Sequence, residues 1–275
     1  MTGDPRPIGV FDSGMGGLTV LRALMARLPS ERFIYLGDTA RLPYGTKSAE
    51  TVQAYAMQAT RLLLDEDVKL LVIACNTASA VALSTLQKAF RPVPVIGVIE
   101  PGARAGVAAT RNRRIAVIAT EGTVKGGAYA RAIQRLMQDA DIVQQPCQVF
   151  VALAEEGWTR NPATLAAIEH YLGPIFGAPS APDTLVLGCT HFPVLAGAIR
   201  EVVGGSVALV DSAETTASAV AEALDRGDLT AGPGTSGQAR FLATDSPERF
   251  ARVGAVFLGH PIDPGAVELV DLRSL

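Results

Sequence analysis

The chain has 275 residues, of which 48% are hydrophobic and 19% are charged, and its formal net charge is −3. This length predicts about two domains, and the apolar content is sufficient for buried cores and excludes a disordered chain. Because the charge is nearly balanced and only 5% of the residues are aromatic, neither nucleic acid nor an acidic membrane surface is expected as a partner.

The cysteines and the apolar runs predict a cytoplasmic protein. The cysteines are few and odd in number, at Cys75, Cys147 and Cys189, which argues against a disulfide framework. Residues 1–7 are polar and lead to the first apolar run without the core of a signal peptide, and the apolar stretches are too short to span a bilayer. We therefore expect no membrane association and a reducing compartment in which the thiols are free to react.

Short β-branched runs alternate with amphipathic helical stretches along the chain. A buried strand at 8–11 is followed by a helix over 17–28, in which leucines recur with the three-to-four spacing of one buried face. The next predicted elements are a strand at 33–36, a helix over 49–65, and strands at 70–74, 93–98, 115–119, 141–143, 185–187, 207–210 and 239–243. Strands separated by helices predict right-handed βαβ units and parallel sheets, and hence an α/β protein.

Two segments of the chain share one layout. Residues 73–77 and 187–191 each give an apolar strand end, a small residue, a cysteine, two polar residues and the start of a helix. The repetition predicts two pseudo-symmetric domains, each a mostly parallel sheet flanked by helices, with an active site in the cleft between them. We place the first, discontinuous domain at 1–99 plus 211–275 and the second at 100–210.

The two repeated cysteines are candidates for acid–base chemistry. A thiolate at a strand end is stabilised by the backbone N–H groups of the following helix. Two like groups held across a cleft suit the inversion of a stereocentre, since one removes a proton from one face of a carbon and the other delivers a proton to the opposite face. Asp12, which closes the first strand, and His191, which lies two residues after Cys189, are candidates to tune the two thiols. Cys147 has no polar cluster and is expected to be structural.

Two other interpretations of these residues stay open at this point. Cys75, Cys189, His191 and an aspartate supply the residue types of a zinc site, although neither cysteine has a CxxC partner. Residues 14–19 approximate the GxGxxG motif of nucleotide-binding proteins, with Asp38 at the end of the next strand. Against that second interpretation, Thr19 replaces the third glycine and the chain has no P-loop lysine.

Several segments in combination resemble the glutamate racemases of the aspartate/glutamate racemase family. They are residues 8–20, 37–45, 74–78, 155–157 and 188–192, and the resemblance extends over roughly residues 7 to 225. It implies a cofactor-independent, metal-free isomerase that interconverts L- and D-glutamate and supplies D-glutamate for peptidoglycan in the cytoplasm, as a homodimer. The alternatives are an aspartate or other amino-acid racemase of the same family, a nicotinamide-dependent oxidoreductase, and a non-catalytic amino-acid binding protein.

The resemblance also implies roles for individual residues. Cys75 and Cys189 would be the two catalytic thiols, assisted by Asp12 and His191 respectively, and Glu155 would be the acidic residue of the second domain. The implied substrate-binding residues are Asp12, Ser13, Pro43, Tyr44, Gly45, Asn76, Thr77, Thr120, Thr123, Thr190 and His191. None of these is Lys or Arg, so the substrate carboxylates are expected to be held by helix N-termini and hydroxyl groups.

Overall fold

The computed structural model describes residues 3–232 and 237–272, which form two parallel sheets flanked by helices. The strands are β1 (Ile8–Asp12), β2 (Phe33–Gly37), β3 (Leu70–Ile73), β4 (Val95–Gly97), β5 (Arg114–Ala119), β6 (Asp141–Pro146), β7 (Thr184–Gly188), β8 (Ala208–Asp211), β9 (Ala239–Ala243) and β10 (Val267–Leu269). The helices are α1 (Leu18–Arg27), α2 (Ala49–Asp65), α3 (Asn76–Ala89), α4 (Ile99–Ala109), α5 (Glu121–Gly126), α6 (Ala128–Leu136), α7 (Gln148–Glu155), α8 (Pro162–Phe176), α9 (Ala196–Val203), α10 (Ser212–Gly227) and α11 (Pro247–Leu258).

The two sheets repeat one topology. The first sheet has the order β10-β9-β2-β1-β3-β4 and the second β6-β5-β7-β8, and all paired strands are parallel. The four-strand arrangement β2-β1-β3-β4 therefore corresponds strand for strand to β6-β5-β7-β8. Cys75 follows the third strand of its sheet and Cys189 follows the third strand of the other, so the repeated sequence motif occupies equivalent places. This confirms the predicted α/β class with two similar halves.

Both faces of the central strands are buried, as expected for parallel sheets covered by helices. On β1, Val10 belongs to a large apolar core that also includes residues of the second sheet, while its neighbour Phe11 belongs to the core beneath α2 and α3. The alternation follows from the period of two residues in a strand. The core shared by the two sheets fixes how their carboxyl ends face each other.

The predicted strands are all present, and the one at 239–243 has the predicted bounds, whereas the ends of the others are shifted. The helix predicted at 49–65 has those bounds, whereas β6 extends beyond the predicted 141–143 through Gln144, Gln145 and Pro146. β6 lies at the edge of its sheet, where polar residues are tolerated and hydrophobic patterning is weak. The strand β10 was not predicted, because only its first residue, Val267, is buried.

The strands of the first sheet come from residues 8–97 and 239–269, and those of the second from residues 114–211. Between them, α10 packs on both α1 and α4 and so contacts helices of both halves. The boundaries at 99/100 and 210/211 remain a proposal. Among the residues that the structure describes, no helix is both long and apolar enough to cross a membrane.

Candidate active site

A cavity of about 40 Å³ lies where the carboxyl ends of the two sheets meet. The predicted site residues that line it are Ser13, Pro43, Tyr44, Gly45, Cys75, Asn76, Thr77, Thr120, Glu155, Cys189, Thr190 and His191. Residues far apart in the sequence thus converge on one small space, and both repeated cysteines border it. Asp12 and Thr123 do not line the cavity but contact residues that do.

Asp12 organises the glycine-rich turn behind Ser13. Its side chain is fully buried, and its Oδ2 accepts hydrogen bonds from the backbone N–H groups of Gly14 and Gly17, each at 3.0 Å. Its Oδ1 has no hydrogen-bond partner among the residues that the structure describes. Burial raises the pKa of this carboxyl group, against the opposing effect of the nearby His191. The turn amides that a dinucleotide phosphate needs are therefore bound to a carboxylate, which argues against the nucleotide-binding interpretation.

The zinc interpretation also lacks support. Within residues 3–232 and 237–272, no three His, Cys, Asp or Glu side chains form a group that could hold a metal ion.

Cys75 begins α3 as its N-cap residue. Its Sγ accepts a hydrogen bond from the N–H of Ala78 at 3.4 Å, and its thiol donates to Ser13 Oγ at 3.5 Å. Only 5% of the residue is exposed. Burial, with the charge of Asp12 added, raises the pKa of the Cys75 thiol to about 12, so this group is a neutral thiol near neutral pH.

Cys189 lies at one end of a series of ionisable side chains that contact one another. Its Sγ is 3.8 Å from His191 Nδ1, and His191 Nε2 is 3.1 Å from Glu155 Oε1. The other oxygen of Glu155, Oε2, accepts a hydrogen bond from Arg249 Nη2 at 2.7 Å. A continuous series of side-chain contacts thus leads from the cavity outward, through Cys189, His191, Glu155 and Arg249.

The charge of His191 follows from these neighbours. Burial disfavours the imidazolium, but the hydrogen bonds and charges of Cys189 and Glu155 outweigh it and raise the pKa of His191 to about 10. Burial disfavours the carboxylate of Glu155 as well, yet His191 and Arg249 lower its pKa below the ordinary value. Near neutral pH His191 is therefore a cation beside Cys189, and an imidazolium favours the thiolate form of a neighbouring cysteine.

Three threonine hydroxyls join the two halves beside the cavity. Thr77 Oγ1 lies 3.0 Å from Thr120 Oγ1 and 3.3 Å from Thr123 Oγ1, and the latter two are 3.0 Å apart. Thr77 belongs to α3 of the first sheet, whereas Thr120 and Thr123 follow β5 of the second. Thr123 thus orients the hydroxyls of residues that line the cavity.

The loop 43–45 covers the other side of the cavity. The Tyr44 hydroxyl donates a hydrogen bond to Asp38 Oδ2, and Arg41 pairs with the same carboxylate. Gly45 lies against Thr120, where a Cβ would come within 2.7 Å of the threonine Cβ. Asp38 and Arg41 therefore hold the loop, and the absence of a side chain at 45 allows it to approach the second half closely.

Some residues of the site were not predicted from the sequence. Gly14 and Leu42 also line the cavity, each next to a predicted site residue. Gln148 and Val151 line the cavity from α7, on the same helical face as Glu155. Their spacing of three and then four residues is the signal that would have identified them. Arg249 has no such signal, because it reaches Glu155 from α11, far away in the sequence.

The chain is similar to known proteins over nearly its whole length. A family model described as Asp/Glu/Hydantoin racemase matches residues 17–220, and the chain belongs to this racemase family. A glutamate racemase from Geobacter metallireducens is 51% identical to it over 269 residues, which cover 98% of each chain.

Solved structures agree with that assignment. A glutamate racemase from Francisella tularensis in complex with D-glutamate superimposes with a TM-score of 0.91 at 37% identity, over 99% of this chain and 100% of that chain. A glutamate racemase isoform from Bacillus anthracis has a TM-score of 0.91 at 36% identity, over 97% of this chain and 98% of that chain. The family membership and two-domain fold expected from the sequence are thus confirmed.

Proposed function

We propose that this protein is a glutamate racemase that uses Cys75 and Cys189 as acid and base on opposite faces of the substrate Cα. The observation that carries the proposal is the placement of two cysteines, at equivalent positions of two matching sheets, on one small cavity. Glutamate as the substrate rests on the relatives, which are named glutamate racemases at up to 51% identity over nearly the whole chain.

The reaction requires one thiolate and one thiol at the start of each turnover. The thiolate takes the Cα proton and becomes a thiol, leaving a carbanion-like centre. The thiol on the opposite face then gives its proton to Cα and becomes a thiolate. After the reaction the two cysteines have exchanged protonation states, which is the state required for the reverse direction.

The surroundings of the two cysteines differ in charge. Cys75, whose pKa is raised by burial, holds its proton, whereas Cys189 Sγ lies 3.8 Å from Nδ1 of the His191 cation. The charge of the Asp12 carboxylate raises the pKa of Cys75 further and so helps this cysteine to hold or recover its proton. In this proposal Asp12 and His191 assist the cysteine on their own side.

Substrate binding is assigned to polar groups at helix starts and to hydroxyls. The amide of Asn76 is held by a hydrogen bond from the Tyr129 hydroxyl to Oδ1 at 2.8 Å. Its buried Nδ2 has no hydrogen-bond partner in the described part of the chain. This donor and the N-terminus of α3 suit a substrate carboxylate. Ser13, Thr190 and the backbone of Gly45 complete the set of polar groups, and water is displaced from a small space in which dipoles act strongly.

We further propose that the D-glutamate formed is used for peptidoglycan, in the cytoplasm, by a homodimer of this chain. Complementation of a bacterium that needs external D-glutamate tests the first part, since growth without the supplement requires racemase activity in the cell. Sedimentation at several protein concentrations tests whether the chain forms a homodimer.

Circular dichroism of D-glutamate mixed with the purified protein, with no cofactor added, tests the activity directly. We expect the signal to decay to zero as the racemate forms, and kcat/KM for aspartate to be much lower. Faster turnover of aspartate would assign the aspartate racemase alternative. Binding of glutamate with an unchanged signal would assign a binding protein, and a nicotinamide-dependent change in absorbance would assign an oxidoreductase.

A further inference from the structure

The carboxylate of Glu155 is shared between two cations from different parts of the molecule. Its Oε1 faces His191 Nε2 at 3.1 Å, and its Oε2 accepts the hydrogen bond of Arg249 at 2.7 Å. Glu155 ends α7 of the second sheet, whereas Arg249 belongs to α11, which is joined to β9 of the first sheet. Each carboxylate oxygen thus has one partner, and the two partners hold the side chain from opposite sides.

The exposed fractions of the three side chains show which of them separates the others from solvent. The side chains of His191 and Glu155 are 9% and 16% exposed, and that of Arg249 is 38% exposed. Arg249 therefore covers the solvent side of the carboxylate. Within residues 3–232 and 237–272, no other hydrogen bond holds Oε2 of Glu155. If the Arg249 contact were lost, water would compete for both carboxylate oxygens.

The helix α11 also contacts His191 directly. Phe257, about two turns further along α11, packs its ring edge-on against the His191 imidazole, with the ring centres 4.9 Å apart. α11 thus touches His191 through Phe257 and touches its carboxylate partner through Arg249. One helix of the first half fixes the orientation of the ionisable pair that serves the cysteine of the second half.

We propose that Arg249 is a positioning residue that holds Glu155 on His191 and thereby keeps the imidazolium aligned with Cys189. The role rests on the racemase function proposed above, but the geometry that it describes does not. Through Arg249 and Phe257, α11 makes the charge beside Cys189 dependent on the contact between the two halves. The charged groups that act on His191 are Cys189, Glu155 and Asp12, and Arg249 acts on it through Glu155.

Positioning and simple electrostatics predict opposite shifts of the His191 pKa when Arg249 is replaced. If the arginine acts only by its charge, its removal takes a cation away from another cation, and the His191 pKa rises. If it holds Glu155 in place, its removal loosens the partner that favours the imidazolium, and the His191 pKa falls. The chain has only three histidines, so NMR of protein with labelled histidine can follow each imidazole in a pH titration.

The experiment compares Arg249→Met, Arg249→Lys and Arg252→Met in the full chain. Arg252 is an exposed arginine of the same helix, one turn away, and serves as the matched control. In R249M we expect the His191 pKa to fall by about one unit or more, and kcat to fall about tenfold, since displaced catalytic groups cost rate even at small distances. KM should change little, and R249K should recover most of the activity. R252M should behave as the unmodified protein.

An unchanged or raised His191 pKa in R249M would overturn the proposal, as would an equal loss in R252M. A fall in kcat without a shift of the His191 pKa would assign Arg249 a merely structural role. R249K retains the charge with a shorter reach, so we expect a smaller fall of the His191 pKa in this variant. That fall tests the proposal if R249M fails to fold, and an unchanged or raised pKa would then overturn it. The histidine titration does not need turnover, so it decides the positioning role even if glutamate proves not to be the substrate.

Discussion

The surroundings of Cys75 and Cys189 differ although their places in the fold correspond. Cys75 lies beside the hydroxyl of Ser13 and near the buried carboxyl group of Asp12. Asp12 ends β1, and Ser13 follows it. Cys189 lies beside His191, whose charge is stabilised by Glu155. One sulfur thus faces an acidic environment and the other a basic one.

The difference shows that the repeated topology determines position and not charge. Both sulfurs follow the third strand of a four-strand arrangement, which accounts for their convergence on one cavity. The charge near each comes from elements that the two halves do not share, since Glu155 ends α7 and its partner Arg249 lies on α11. In the first half, the acidic residue Asp38 instead pairs with Arg41 and holds the loop over the cavity.

Removal of either sulfur is the strongest test of this comparison. We expect Cys75→Ala and Cys189→Ala each to lower racemisation about 10³-fold or more in both directions, because each turnover needs one acid and one base. Circular dichroism with L- and D-glutamate measures the rates. Cys147→Ala is the matched control, since Cys147 is also buried but does not line the cavity. Near-normal turnover of both enantiomers in either active-site variant would contradict the two-cysteine mechanism.

The same two variants distinguish the faces of the substrate. The enantiomers have equal free energy in water, so kcat/KM is equal in both directions for any variant, and steady-state rates hide which cysteine acts on which enantiomer. Exchange of the Cα proton with deuterium reveals it. Each variant should retain slow exchange with only one enantiomer, and with opposite enantiomers in the two variants. The same exchange pattern in both variants would refute separate roles for the two faces.

A smaller effect is expected at Gly16, where the first half approaches His191. A Cβ at this position would lie 2.3 Å from His191 Nδ1 and 2.6 Å from Thr190 Oγ1. Gly16→Ala should therefore displace the imidazole from Cys189 and lower kcat by about 10- to 100-fold, measured by the same assay. The control is Gly197→Ala in α9, where a Cβ meets nothing within 4 Å.

Gly197→Ala should leave activity unchanged and stabilise the protein by about 0.5–1 kcal/mol through helix propensity. If Gly16→Ala has full activity, the close contact between the glycine turn and His191 does not position the imidazole. The orientation of His191 beside Cys189 would then be attributed to Glu155 and Arg249 alone.

The sequence predicted the parts of the site that a local pattern encodes. Cys75 and Cys189 stand in a repeated strand-end motif, and parallel sheets place such ends together, so both were found from the residues alone. Glu155 and the threonines came from the resemblance to a family. Arg249 was not predicted, because its role depends on where the fold places α11 relative to Glu155, which no local spacing expresses. The strand β10 was missed for a related reason, since pairing with β9 and not an apolar run defines it.

The weakest expected effect concerns the stability that the Glu155–His191 pair contributes. The pKa of Glu155 is lowered in the folded protein, so its contribution is present above its ordinary value near 4.5 and is lost as the pH falls through the folded-state value. The pKa of His191 is raised, so its contribution is complete below about 6.5 and is lost as the pH rises through about 10. Both contributions are complete between about pH 4.5 and pH 6.5, where the pair stabilises the fold most.

Thermal unfolding of Glu155→Gln, measured across pH, tests this window. Hydrogen bonds to charged groups contribute about 1.5–3 kcal/mol, so near pH 7 we expect the Tm of E155Q to be lower by about 4 °C. The deficit should shrink as the pH falls below about 4.5 and also, in part, above about 10, where Arg249 still pairs with Glu155 in the unmodified protein. Glu156→Gln, at the adjacent exposed position, should show no deficit at any pH. A deficit of constant size across pH would mean that Glu155 stabilises the second half by packing, and the basic surroundings of Cys189 would then need another source.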